Sequence, residues 1–113
     1  YARLALVLCT NMSPEQCTGQ VLDERTDIYS LGCVMFESLT GERVFSGKSA
    51  MEIFTQHAYE KAPTLAQRAP QLNFPEQLES CISTMLQKTP GERIKSAARV
   101  DELISAIAPP INQ

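Results

Sequence analysis

The sequence predicts an all-α domain of about five helices packed around one buried central helix. Three observations carry this. The stretch Asp23 to Gly41, DERTDIYSLGCVMFESLTG, is apolar on more than one face. Apolar residues recur at helical spacing in three further segments, 49–61, 75–86 and 96–107. Serine, proline and glycine stand where such helices should begin and end.

In chain order, Tyr1 to Cys9 is an apolar run without a start signal, read as a strand or buried extended piece of something longer whose true beginning is missing. Ser13 is the expected N-cap of a short helix, with Pro14 at its first position, Glu15 and Gln16 in its first turn, and an end near Thr18-Gly19. The central helix follows. Thr26 and Asp27 at its start can accept hydrogen bonds from unpaired backbone amides and suit the positive end of the dipole, while Thr40-Gly41 is a left-handed cap signal. Ile28, Leu31, Met35 and Leu39 form one stripe and Tyr29, Cys33 and Phe36 a second, so this helix needs neighbours all round. Glu42 to Lys48 reads as a polar loop anchored inward by Phe45.

Ser49 to Lys61 is amphipathic, with Met51, Phe54, Ala58 and Tyr59 assigned to the core side. Ala62 to Phe74 holds Pro63 and Pro70 and no sustained period, which predicts a surface loop. Pro75 opens a helix whose inward stripe is Leu78, Cys81, Ile82, Met85 and Leu86, stopped by Thr89-Pro90-Gly91. Ser96 caps a last helix through Ile107, with Ala97, Val100, Leu103, Ile104 and Ile107 inward, before Pro109-Pro110.

At 113 residues the chain has room for one domain. A net charge of -3 gives no basic footprint, so nucleic acid is excluded as a partner. Cys9, Cys17, Cys33 and Cys81 form no C-x-x-C pair and His57 has no neighbouring cysteine, so neither a metal site nor a disulfide framework is expected. Leu4 to Cys9 is too short to span a bilayer, and the segment is expected to be soluble and cytoplasmic, without membrane contact.

MSPEQ at 12–16, LDERTDIYSLGCVMFESLTGERVFSG at 22–47 and QKTPGERIKSA at 87–97, in this order and spacing, resemble the C-terminal lobe of bacterial-type Ser/Thr protein kinases. The likeness runs from about Cys9 to Ile107, that is, from the end of an activation segment to the last helix. It implies a division into an activation-segment remnant at 1–12, a partial C-lobe at 13–108 and a tail at 109–113. It also implies structural roles for Ser13, Pro14, Glu15, Asp27, Gly32 and Arg93. Glu15 matches the glutamate of the family's Ala-Pro-Glu-type motif, here Ser13-Pro14-Glu15, and its implied partner is a buried arginine, here Arg93. By themselves both residues read as solvated surface charges. The resemblance implies a bidentate buried pair in which loss of one partner strands a charge, at about 3–5 kcal/mol. Asp27 matches a buried aspartate that holds the family's catalytic loop in place; without the family it is a first-turn carboxylate favoured by the helix dipole.

The groups that perform phosphoryl transfer are missing from these 113 residues: a Gly-rich loop, a strand lysine, H-R-D-x-x-x-x-N and D-F-G. No catalytic, cofactor-binding or metal-binding residue is therefore assigned, and ATP and Mg2+ are implied only for a complete parent kinase. Before Ser13 the family's Gly-Thr-x-x-Tyr-Met run is replaced. Ungapped, the glycine, threonine and tyrosine positions are Val7, Leu8 and Asn11; with a two-residue deletion Cys9-Thr10 takes the Gly-Thr place. Either way the substrate-docking loop is altered. Val44 stands where proline is common. Thr10 is a candidate phosphorylation site, weighed against an ordinary loop threonine.

The first expectation is thus a truncated kinase C-lobe, not competent alone, whose partners are a protein substrate or the remainder of a kinase domain. Alternatives are a pseudokinase-like interaction module and a generic helical domain with chance motifs, which a structure lacking a Glu15–Arg93 contact would favour. A helix and loop of a whole kinase are lacking, so apolar surface around Tyr29, Cys33 and Phe36 is expected to be exposed and to drive self-association.

Overall fold

The structure, a computed structural model, describes residues 12–19 and 23–107. The segment Tyr1 to Cys9, Thr10, the altered run Val7 to Asn11 and the tail 109–113 lie outside the described residues. Among the described residues there are six α-helices and no strand: α1 (Pro14–Thr18), α2 (Glu24–Thr40), α3 (Ala50–Tyr59), α4 (Leu65–Arg68), α5 (Glu76–Met85) and α6 (Ala97–Ile107). A 3-10 turn, Pro90–Glu92, precedes α6.

The helix starts follow from local hydrogen bonding. Ser13 Oγ accepts from the Gln16 amide at 3.3 Å while Gln16 Oε1 accepts from the Ser13 amide at 2.8 Å, a reciprocal cap around Pro14. Asp23 is the N-cap of α2, accepting from the Arg25 amide at 2.8 Å, and Thr26 Oγ1 accepts in turn from the Asp23 amide at 3.4 Å. Asp27, expected to share in that capping, is exposed. Gly41 closes α2 at φ 77°, a left-handed conformation in which its N–H reaches Glu37 O.

The central helix is not covered all round. Its buried face is Ile28, Tyr29, Gly32, Cys33 and Phe36, with Met35 and Leu39 packed against the core from its edge. Tyr29, Cys33 and Phe36 are 0%, 1% and 0% exposed, so the apolar surface expected to lie open around them is not their own. The open side is one turn around, where Leu31 and Val34 are 38% and 47% exposed. Gly32 lets α5 approach so closely that a Cβ there would stand 2.9 Å from Met85 Cβ and 3.1 Å from Leu86 Cδ2, while Tyr29 beside it is met by His57, Lys88 and Arg93.

Two further expectations need correction. In α3 the residues buried are Ile53 and His57, while Met51 and Tyr59 are exposed and Phe54 and Ala58 are half-buried. The apolar stripe misled because a histidine with internal partners occupies the core position. The loop predicted over 62–74 contains α4. Thr64 and Gln67 cap each other, and the Glu79 carboxylate accepts from the Leu65 and Ala66 amides at 2.8 and 2.9 Å, so a four-residue turn is held from outside its own sequence.

Val44 and Phe45 tuck in together at 1% and 2% exposure. In α5, Cys81, Ile82, Met85 and Leu86 are buried, and in α6 Val100 is buried with Leu103 and Ile104 beside the core. α1 packs on α3, and α2 packs on α4 and α5, with α6 against α5.

Candidate functional site

The polar centre of the molecule is built where α1, the start of α2 and the turn before α6 meet. Arg93 Nη1 donates to Glu15 Oε2 at 2.6 Å and Nη2 to Glu15 Oε1 at 2.7 Å, a bidentate fork between residues 78 apart in sequence. The rest of the guanidinium is also satisfied: Nε donates to Gln87 O at 2.6 Å, Nη1 to Arg25 O at 3.0 Å and Nη2 to Lys88 O at 3.1 Å. All five N–H groups of the side chain thus have acceptors. Thr26 Oγ1 donates to Glu15 Oε2 at 2.9 Å. Burial works to raise the Glu15 carboxyl, but hydrogen bonds from Arg93, its own backbone and Thr26, with the Arg93 charge, outweigh it and hold the group below the ordinary carboxylate range.

Of the residues implicated from sequence, Glu15 and Arg93 are brought together, and Ser13 and Pro14 set the turn that presents Glu15. Gly32 faces α5 and Asp27 faces solvent, so neither touches this clamp. The generic helical alternative, which a missing Glu15–Arg93 contact would have favoured, is not supported. Sequence reasoning missed Thr26 as a donor to Glu15 and missed Tyr29, whose ring lies 4.9 Å from the Arg93 guanidinium carbon.

Tyr29 also joins a second cluster. Its hydroxyl meets His57 Nδ1 at 2.8 Å, and the His57 ring stands edge-on to Phe45 with centroids 5.0 Å apart. Lys88 Nζ lies 4.6 Å from the Phe45 ring centroid and donates to Gln56 O at 3.3 Å and to the Tyr29 hydroxyl at 3.4 Å. Burial pushes the Cys33 thiol up to about 12, so it stays protonated as an inert core thiol.

A family model for the protein kinase domain matches residues 7–103 of this chain. The chain belongs to the protein kinase family. Its relatives are bacterial Ser/Thr kinases. It is 39% identical over 89 residues to the serine/threonine-protein kinase PknB of Mycolicibacterium smegmatis, covering 79% of this chain and 14% of that protein. Against pkn3 of Myxococcus xanthus it is 33% identical over 96 residues, 85% of this chain and 18% of the relative. The chain therefore spans less than a fifth of the length of these kinases. A solved structure of the Rad53 kinase domain and SCD2 in complex with AMPPNP superposes with a TM-score of 0.74 at 21% identity, covering 92% of this chain and 41% of that one, which shows a kinase-like fold. Among the described residues no helix is long and apolar enough to cross a membrane.

Proposed function

We propose that this chain is the scaffold part of a Ser/Thr protein kinase. Residues 13–107 supply the floor of the C-terminal lobe and part of the surface on which a protein substrate rests, and transfer of the ATP γ-phosphoryl group to a Ser or Thr hydroxyl needs groups from the remainder of a kinase domain. The observation that carries this reading is the Glu15–Arg93 clamp. It pins the end of the segment that would contact substrate to α2 and to the turn before α6. Its value is positional, since catalysis of phosphoryl transfer is mostly alignment and charge stabilisation.

Magnesium does not fit the residues at hand. Among the described residues no three His, Cys, Asp or Glu side chains converge, and the sequence has neither the D-F-G aspartate nor the catalytic-loop asparagine. No step of the transfer is assigned to them.

An exchange tests the reading. Residues 13–107 replace the matching stretch of the M. smegmatis PknB kinase, and the hybrid is assayed for phosphorylation of a Ser/Thr protein substrate. Retained activity is expected, together with none from the 113-residue chain alone given ATP and Mg2+. A hybrid that melts cooperatively but transfers no phosphate overturns it.

The altered run Val7 to Asn11 favours a second reading, a pseudokinase-like module that acts by binding a protein partner. A hybrid that is active with residues 13–107 but silent when residues 1–12 are carried over as well would select this second reading.

A further inference from the structure

His57 is the single histidine of the chain and is wholly buried in α3. Its Nδ1 lies 2.8 Å from the Tyr29 hydroxyl, which also receives the Lys88 ammonium at 3.4 Å. Proton counting settles the state of the ring. Tyr29 is itself wholly buried, so its O–H needs an acceptor. An ammonium only donates, and the acceptor that remains beside the hydroxyl is His57 Nδ1. The imidazole in this cluster is therefore neutral, with Nδ1 bare and its proton on Nε2.

We propose that His57 is an acid-released latch on α3, which its protonation at Nδ1 frees from the central helix. The inference goes beyond the kinase reading and depends only on this cluster. A proton on Nδ1 would face the Tyr29 O–H across 2.8 Å, and the hydroxyl would have to turn toward the Lys88 ammonium, which cannot accept. The charged groups packed around the cluster also disfavour an imidazolium. Lys88, after α5, is one hydroxyl away and lies 4.6 Å from the Phe45 ring centroid, while Arg93 is 4.9 Å from that of Tyr29. Arg68 of α4 donates to Val44 O beside Phe45. On the other side of the balance, Glu15 of α1 is taken up in the Arg93 fork, and Glu52 of α3 and Glu60 after it are exposed. Cys17 of α1 and Cys33 of α2 are free thiols, the latter kept protonated by burial. Burial of the ring acts in the same direction, since it opposes the charged form.

A detached histidine takes its proton near pH 6.5. Below that pH the open form binds more protons than the closed one, so the latch holds fully above about 6.5 and weakens as pH falls, by about tenfold in the opening equilibrium per pH unit. The Glu15 carboxylate loses its effect only below about 4.3, which keeps the two acid responses apart. The element released is α3. It packs on α1 and meets α2 through the His57–Tyr29 bond, with Lys88 Nζ on Gln56 O as a further tie, and its opening would uncover Ile53.

The test is hydrogen exchange of the full chain between pH 8 and pH 5, read by peptide mass spectrometry and corrected for the intrinsic pH dependence of exchange. Peptides from α3 should lose protection by about tenfold per pH unit below about 6.5, while those from α2 and α5 change less. His57→Gln should level the α3 response. Nitrogen-15 NMR of the wild-type ring needs no variant, and at pH 7 it should show Nδ1 bare and Nε2 protonated. Protection of α3 that stays flat down to pH 5, a loss shared equally by α5, a response that persists in His57→Gln, or a ring protonated at Nδ1 at pH 7 each overturns the proposal.

Discussion

Arg93 and Lys88 are two cations set against the same tyrosine, at 4.9 and 5.7 Å from the Tyr29 ring centroid, and they have opposite characters. Arg93 has a carboxylate in bidentate register and an acceptor for every N–H. Lys88 has two neutral acceptors at longer range and no carboxylate among the described ion pairs. A buried charge costs several kcal/mol to desolvate, and only a partner of opposite charge with matched geometry returns it. The difference between a fixed strut and a titratable amine therefore lies in the partners, not in the depth of burial alone.

The largest test of that contrast is Arg93→Lys. An ammonium keeps the charge but cannot form the fork or reach the carbonyls of Gln87, Arg25 and Lys88 at once. The loss should be about 3–5 kcal/mol in urea unfolding, much of the stability of a domain this small. A loss below about 1 kcal/mol would mean that charge alone sufficed and would dissolve the distinction.

Thr26→Val is smaller. It removes the hydroxyl that donates to Glu15 Oε2 while keeping the shape of the side chain, and a hydrogen bond to a charged group contributes about 1.5 kcal/mol. It should also move the acid limb of stability. Glu15 is held below its unfolded value near 4.3, so its stabilising effect is complete above that pH and fades as pH falls through the lower folded value. With one donor gone the folded value rises, and the urea midpoint should begin to fall at a higher pH than in the wild type.

Much of the fold was legible where the chain signals its own ends. Ser13-Pro14, Pro75 and Thr40-Gly41 mark helix termini through hydrogen bonds made within a few residues, and such signals survive any tertiary context. The face of α3 and the existence of α4 were not legible, because each is decided at a distance. His57 is buried on account of Tyr29 and Phe45, and α4 is capped by Glu79, which follows it by more than a helical turn of another element. The open side of α2 was misassigned for the same reason. Leu31 reads by spacing as inward like Ile28, yet it is 38% exposed, because the covered face of α2 is settled by residues distant in sequence, such as Met85 and Leu86 against Gly32 and His57 against Tyr29. Glu15 and Arg93 read as surface charges until the motifs around them were considered together, since nothing within either local segment indicates a partner 78 residues away.

Lys88→Met should have the smallest effect and the most diagnostic sign. Methionine keeps the apolar stem against Phe45 and removes the desolvated charge, offsetting the loss of two long hydrogen bonds, so the change at pH 7 should be about 1 kcal/mol or less. The pH dependence is the sharper reading. Lys88 is folded with its ammonium brought down to about 8, while the unfolded chain holds that proton to about 10.4. Between these values the unfolded state binds more protons, so the lysine form gains stability as pH rises, and below about pH 8 it carries its full penalty. Cys33, raised by burial to about 12, pulls the other way in the same alkaline range; removing Lys88, whose charge lowers it, only raises it further, so the folded thiol stays protonated from pH 8 to pH 10 in both proteins and leaves the difference to Lys88. The stability of wild type relative to Lys88→Met, followed by urea midpoints, should therefore climb from pH 8 to pH 10. A flat difference would make Lys88 as settled in its charge as Arg93, and the contrast between the two cations would fail at its weaker member.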